Sequence, residues 1–237
     1  MTESDSPSDA RTPERDRPSG PFFARRWWSR SVRRWLAGLA LSAVFAALVS
    51  AFVVQPFIIP SGSMEGTLQV GDRVLVNKLA YAFGQDVRRG DVVVFDGTGS
   101  FAAEGSSAGG LGGLLRSAAA AVGLAHSAET DYVKRVIGVG GDHVRCCDAQ
   151  GRIEVNGEAL DEPYLFPGDN PSNVMFDIEV PEGRLWVMGD HRSDSADSRE
   201  YLGSPGGGTV PEDQVIGRVE WIGWPPSRWS SVRSGHE

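Results

Sequence analysis

From Leu36 to Val54 the chain runs for 19 residues without a charge, Ser42 and Ser50 being the most polar side chains. A helix of that length rises roughly 28 Å at about 1.5 Å per residue, close to the thickness of a bilayer core. The run is longer than the ~7–15 apolar residues of a cleaved signal peptide, and a long charged tail precedes it. It is therefore read as a retained membrane helix, although Val49-Ser50-Ala51 would pass as a cleavage site. Beyond it, Gln55-Pro56-Phe57-Ile58-Ile59-Pro60 cannot continue a helix cleanly, with two prolines in six residues. The pattern then shortens to strands set off by turn residues. These are Arg73–Asn77 after Gly71-Asp72, Val92–Phe95 after Arg89-Gly90-Asp91, and Tyr132–Val139 before Gly140-Gly141-Asp142. Ile153–Val155 before Asn156-Gly157 reads as a hairpin, and Phe176–Val180 with Arg184–Met188 around Pro181-Glu182-Gly183 as a second. Val215–Ile222 is a last strand, ended by Pro225-Pro226. No internal repeat is visible. Residues 97–130, rich in Gly, Ala and Ser, read as a flexible insertion between strands, with a short weakly polar helix over Leu111–Leu124.

Charge divides the chain further. The net charge of -8 combines +3 over residues 1–35 with -11 over residues 36–237. Residues 1–24, rich in Ser, Pro and charge, read as a disordered tail. In residues 25–54, Arg25, Arg26, Arg30, Arg33 and Arg34 stand among Trp27, Trp28 and Trp35, a combination suited to the headgroup layer. Arginines on this side place the tail in the cytoplasm and residues 55–237 outside. The acidic balance argues against nucleic acid as a partner. The 41% hydrophobic content suffices for a core, and 30 Gly with 14 Pro suit a turn-rich β-domain.

Candidate chemistry narrows by residue type. Of 23 basic residues only Lys78 and Lys134 are lysine. No two histidines stand at metal-ligand spacing, and no Gly-x-Ser-x-Gly elbow occurs: in Gly62-Ser63-Met64-Glu65-Gly66 the first glycine is one residue too close. His126 lies in the insertion, His236 is penultimate and His143 follows a turn, leaving His191 in Gly189-Asp190-His191-Arg192 as the histidine in a plausible site loop. Asp190, Asp194 and Asp197 do not match a calcium loop. Two cysteines are too few for a disulfide scaffold, and Cys146-Cys147 are adjacent, so bridge and free thiols both stay open. What remains is serine with lysine. Ser63 lies nine residues past the apolar run, and Lys134 shares a strand face with Tyr132 and Val136, where an ammonium is poorly solvated and loses its proton more readily. A lysine snorkelling from a strand edge is the alternative.

Four segments in order resemble the bacterial type I signal peptidases, membrane-bound Ser/Lys leader peptidases of family S26. They are Pro60-Ser61-Gly62-Ser63-Met64 with Thr67-Leu68; Gly71-Asp72 to Lys78 with Arg89–Phe95; Asp131-Tyr132-Val133-Lys134-Arg135; and Gly189-Asp190-His191-Arg192 through Ser195-Ala196-Asp197-Ser198-Arg199. Gly217-Arg218 also fits. The resemblance implies Ser63 as nucleophile and Lys134 as general base, with the Ser63 N–H and the Ser61 hydroxyl as oxyanion hole. Ser195 would hydrogen-bond and orient Lys134, and Asp197 and Arg199 would pair to hold the loop. Ile59, Leu68, Tyr132 and Val133 would line pockets for small residues, as in Ala-x-Ala sites, with the substrate paired to a strand edge. The fold implied is mainly β: an antiparallel catalytic core with a smaller β cap domain within about residues 145–185, after one transmembrane helix. Partners implied are signal peptides of preproteins, the lipid bilayer and the export machinery; neither metal nor cofactor is implied. Two departures stand out: Gly66 where the family often has Pro, and His191 where Asn is common. Readings weighed beside this one are a Ser/Lys peptidase dedicated to one pilus or conjugation client, a non-catalytic anchored peptide-binding β-domain, and a self-cleaving repressor.

Overall fold

The structure, a computed structural model, describes residues 22–101, 130–232 and 235, without the side chains of 22–30 and 48–52. The chain divides into two units, Met1–Val44 and Phe45–Glu237. Helix α1 (Phe22–Phe52) occupies the expected apolar stretch, with Trp35, Leu36, Leu39, Leu41, Val44 and Phe45 exposed. Among the described residues no helix is long and apolar enough to cross a membrane. The described side chains of α1 begin at Ser31 and include the charged Arg33 and Arg34, and those of 48–52 fall outside the description. The expected tail up to residue 21, most of the 97–130 insertion, His126 and His236 also lie outside the described residues.

After α1 the architecture is mainly antiparallel β. Seven strands form one path: β1 (Val54–Ile58), β2 (Arg73–Asn77), β11 (Val215–Trp224), β3 (Val92–Asp96), β4 (Asp131–Gly138), β9 (Arg184–Met188) and β10 (Val210–Pro211); β12 (Ser230–Ser231) adds to β11. A second sheet has the order β7 (Glu158–Ala159), β6 (Ile153–Val155), β5 (His143–Cys146), β8 (Phe176–Glu179). In β2 the alternation puts Val74 and Val76 inside and Arg73 and Leu75 outside, as a half-buried strand requires. Strand β3 lies between β11 and β4, and its run Val92–Phe95 is buried on both faces. Strand β1 was not anticipated from the sequence. It carries Pro56 because it is an edge strand, paired only with β2, so the missing N–H need not enter a second ladder.

The Asn156-Gly157 hairpin forms as the sequence predicts, with φ of 55° and 81° at the two turn residues and Val155 paired to Glu158. The second predicted hairpin does not. Pro181-Glu182-Gly183 carries the chain from the small sheet to the large one: β8 pairs with β5, whereas β9 pairs with β4 and β10. Cys146 and Cys147 are joined by a disulfide across a cis peptide bond, their Cα atoms 3.0 Å apart, which closes the question the sequence left open. Three apolar clusters hold the unit together. One unites Phe57, Ile59, Met64 and Leu68 with β2, β3 and β11; a second surrounds Trp186, Val144 and Ile153; a third surrounds Phe95, Val187 and Val210.

Candidate active site

Ser63 sits in a single 3-10 turn, Gly62–Met64, whose first residue follows an extended Ser61. The sequence dictates this turn. Ile59, Met64 and Leu68 are buried in the first cluster, pinning the chain on both sides, and Glu65 N–H donates to the Gly62 carbonyl at 2.8 Å. Ser63 is thereby left 6% exposed, with its hydroxyl turned towards β4.

There Lys134, 4% exposed, donates from Nζ to Ser63 Oγ at 2.7 Å, the two residues 71 apart in the chain. Burial pushes the Lys134 pKa from its ordinary 10.5 down to about 8; Asp197, Asp190 and Asp194 pull it upward, and Arg199 adds to the lowering. The Ser61 and Ser63 hydroxyl oxygens are 3.4 Å apart.

The Gly189–Arg199 loop forms the far wall. Asp197 and Arg199 form a bidentate pair, with Nε to Oδ1 and Nη2 to Oδ2 both at 2.8 Å. Asp197 also accepts from Gly189 N–H at 3.0 Å, and Arg199 Nη2 donates to the Arg192 carbonyl at 2.9 Å. The bond expected from Ser195 to Lys134 is not seen: Ser195 Oγ is buried without a hydrogen-bond partner among the described residues, while Lys134 Nζ donates to Ser63 Oγ. Ser195 does lie close to Ser63. A Cβ at Gly189 would collide with both Ser195 Oγ and the Ser63 carbonyl oxygen, so only glycine lets the loop approach.

The four residues expected to line pockets separate into two groups. Ile59 and Leu68 belong to the first cluster, 2% and 0% exposed, and Val133 packs against the same cluster. Tyr132 joins the third instead, stacked on Phe95 with ring centroids 5.8 Å apart and edge-on to Phe101. Lys78, the other lysine, follows β2, and its backbone N–H donates to the Val53 carbonyl at 2.9 Å.

Sequence reasoning did not assign the ion-pair frame behind Ser63 and Lys134. Arg135, next to Lys134 and 1% exposed, donates to both Asp190 oxygens at 2.8 and 2.7 Å, to the Gly90 carbonyl at 2.8 Å and to Thr67 Oγ1 at 3.1 Å. Its guanidinium lies 4.0 Å over the Tyr164 ring. Arg192 pairs with Glu162 and donates to the Gly189 carbonyl at 2.9 Å. The signal was present, because an Arg follows Lys134 and an Arg sits in the loop, but their carboxylate partners are 55 and 30 residues away. The frame ties together Thr67 after the Gly62–Met64 turn, β4, the Gly189–Arg199 loop and the segment around residue 164.

Fold and site can be set beside known proteins. A family model described as signal peptidase, peptidase S26, matches residues 32–224. The chain is similar to a signal peptidase I of Mycobacterium tuberculosis, 40% identical over 98% of this chain and 84% of that one. It is also similar to a probable signal peptidase I of Mycobacterium leprae, 41% identical over 84% of this chain and 78% of the other. A signal peptidase IB of Staphylococcus aureus is 31% identical over 84% of this chain and 93% of its own length. The chain therefore belongs to the signal peptidase family, peptidase S26, and is a peptidase.

Proposed function

We propose that this peptidase is a membrane-anchored serine endopeptidase that removes signal peptides from exported preproteins with Ser63 as nucleophile and Lys134 as general base. The observation that carries this reading is the 2.7 Å contact of Lys134 Nζ with Ser63 Oγ in a site where burial lowers the lysine to about 8. A pKa of about 8 leaves roughly a tenth of the amine neutral at pH 7, against under ~0.1% at the ordinary value. Arginine cannot do this, since its guanidinium keeps its proton.

Neutral Lys134 takes the Ser63 proton as Oγ attacks the scissile carbonyl carbon. Negative charge grows on the carbonyl oxygen and is met by the Ser63 N–H and the Ser61 hydroxyl, which has only to rotate away from Ser63 Oγ. Lys134 then returns the proton to the leaving amine, leaving an ester on Ser63, and draws a proton from the water that hydrolyses it. Asp197–Arg199 and Arg135–Asp190 hold the walls while this happens. Strand β9 pairs with β4 only from Arg135 onward, which leaves the Tyr132–Lys134 end paired with β3 on one side and suited to an extended peptide on the other. Ile59, Leu68 and Val133 would floor the pocket for the small residues of an Ala-x-Ala site.

Anchoring follows from the sequence: the uncharged Leu36–Val54 run behind an arginine cluster puts the tail in the cytoplasm and the peptidase unit outside, near the export machinery. Exposed Leu75, Trp221, Trp224 and Trp229 suit a lipid headgroup layer. The test is Ser63→Ala in the full chain, assayed on a panel of preproteins. Cleavage is lost while thermal unfolding is unchanged; undiminished cleavage would refute the assignment. With the wild-type chain, cuts after Ala-x-Ala in many preproteins support a general signal peptidase, and cutting of one client alone points to a dedicated enzyme.

A further inference from the structure

The two departures from the family pattern, Gly66 and His191, meet in one place. The segment Glu162–Pro171 crosses the outer side of the nucleophile turn as a strap. At Gly66, where φ is 104°, an added Cβ would press on the Tyr164 carbonyl oxygen at 2.9 Å and on Phe166 Cα at 3.5 Å, so the strap rests directly on the turn. Phe166 N–H donates to the Asp190 carbonyl at 3.0 Å, and the Phe166 ring stacks on the His191 ring with centroids 4.0 Å apart and planes 21° from parallel. Asp169 fastens the next part of the strap, accepting from Ser193 N–H at 3.1 Å and Ser193 Oγ at 2.8 Å. Arg192 closes the other end on Glu162 and on the Pro171 carbonyl at 2.5 Å.

His191 is the point where the strap reaches the reacting serine. Its backbone N–H donates to the Ser63 carbonyl at 3.1 Å, a bond across the site from the supporting loop to the nucleophile itself. Its Nδ1 lies 3.5 Å from Glu65 Oε2, within ion-pair range but not hydrogen-bonded. The bond to Ser63 comes from a backbone N–H that any substitution but proline keeps, but its direction depends on where the His191 ring is held. That ring is held by Phe166.

We propose that Phe166 and His191 form a clamp, acting as positioning residues that set the Ser63 backbone, and with it Oγ, for attack. The clamp rests on the reading of Ser63 as nucleophile. It makes the glycine at 66 and the histidine at 191 one device: glycine lets the strap sit on the turn, and an aromatic side chain at 191 gives the strap something to grip. Misplacing a reacting atom by about 1 Å costs roughly 100-fold in rate, so a loosened clamp acts on kcat. Neither ring lies among the residues assigned to the substrate pockets, so KM changes little.

The experiment uses the full chain with a peptide carrying an Ala-x-Ala site. Phe166→Ala and His191→Ala each lower kcat roughly 10- to 100-fold with KM nearly unchanged. The double variant is no worse than either single one, because both break the same stack. His191→Phe, which keeps the stack and loses Nδ1, recovers most of the lost kcat. Unchanged kcat in the folded variants, a loss confined to KM, losses that multiply in the double variant, or no recovery with His191→Phe would overturn the clamp. Should His191→Ala fail to fold, the half-buried Phe166→Ala and the His191→Phe variant decide. Ser63→Ala is measured alongside: cleavage surviving there strikes the nucleophile assignment, whereas loss there with fully active Phe166→Ala and His191→Ala strikes the clamp alone.

Discussion

Replacing Lys134 by methionine exchanges a buried ammonium for an apolar chain of similar length, so the variant isolates what the base costs the fold. The fall of its pKa from 10.5 to about 8 corresponds to about 3 kcal/mol by which the folded state disfavours the charged form. The sign follows from proton counting. Below pH 8 both folded and unfolded chains carry the proton, and the full penalty applies. Between about 8 and 10.5 the folded chain has released it while the unfolded chain keeps it, so wild-type stability rises with pH. Methionine removes the penalty but also the donor to Ser63 Oγ, a loss of about 1 kcal/mol. Lys134→Met is thus expected to be more stable than wild type by about 2 kcal/mol at pH 7, with the gap closing between about pH 9 and 10 and reversed by pH 10.5, and to have no activity. Urea unfolding of the full chain in detergent at a series of pH values measures both. A variant less stable than wild type at pH 7, or a gap independent of pH, would refute the reasoning that desolvation prepares this lysine.

Two further outcomes test the surroundings. Arg199→Gln leaves the Asp197 carboxylate uncompensated beside Lys134, so the lysine pKa rises and the ascending limb of kcat/KM against pH moves to more alkaline values; an unmoved limb would deny Arg199 that electrostatic role. Gly66→Pro puts a ring fixed near φ -65° where the chain has φ 104°, against the Tyr164 carbonyl. A loss of more than about 1 kcal/mol in urea unfolding, together with reduced cleavage, is expected, and a fully stable, active variant would contradict the placement of the strap.

What the sequence makes legible is local. Strands β2 and β6 fall where alternation and turn residues put them, and Ser63 and Lys134 stand out because one serine box follows the apolar run and only two lysines exist. What it hides is partnership. Pro181-Glu182-Gly183 carries every mark of a hairpin, yet Arg184–Met188 pairs with β4, because a Leu-Trp-Val-Met run is better buried between β4 and β10 than beside β8. Strand β5, His-Val-Arg-Cys, reads as too polar until its partners cover Val144 and Cys146. Arg135 and Asp190 are each conspicuous as box residues, but no spacing rule joins positions 55 apart. Gly66 and His191 look like weaknesses against the family pattern, and only the strap between them explains both.

The scarcity of lysine takes on physical meaning within this arrangement. Three carboxylates, Asp197, Asp190 and Asp194, pull the Lys134 pKa upward, and left alone they would keep the amine charged. Asp197 and Asp190 are each engaged by a bidentate arginine, Arg199 and Arg135, whose charges are permanent and whose forked geometry satisfies both carboxylate oxygens. Burial is the largest influence on Lys134, ahead of the carboxylates, and burial favours the neutral amine. Arg199 thus does more than hold the loop: its charge opposes part of the pull of the carboxylates on Lys134. A lysine in either arginine's place would offer a single point charge and a group able to lose its own proton in the same dry site. The division of labour, arginine for fixed charge and lysine for the one charge that must come and go, follows from the chemistry of the two side chains.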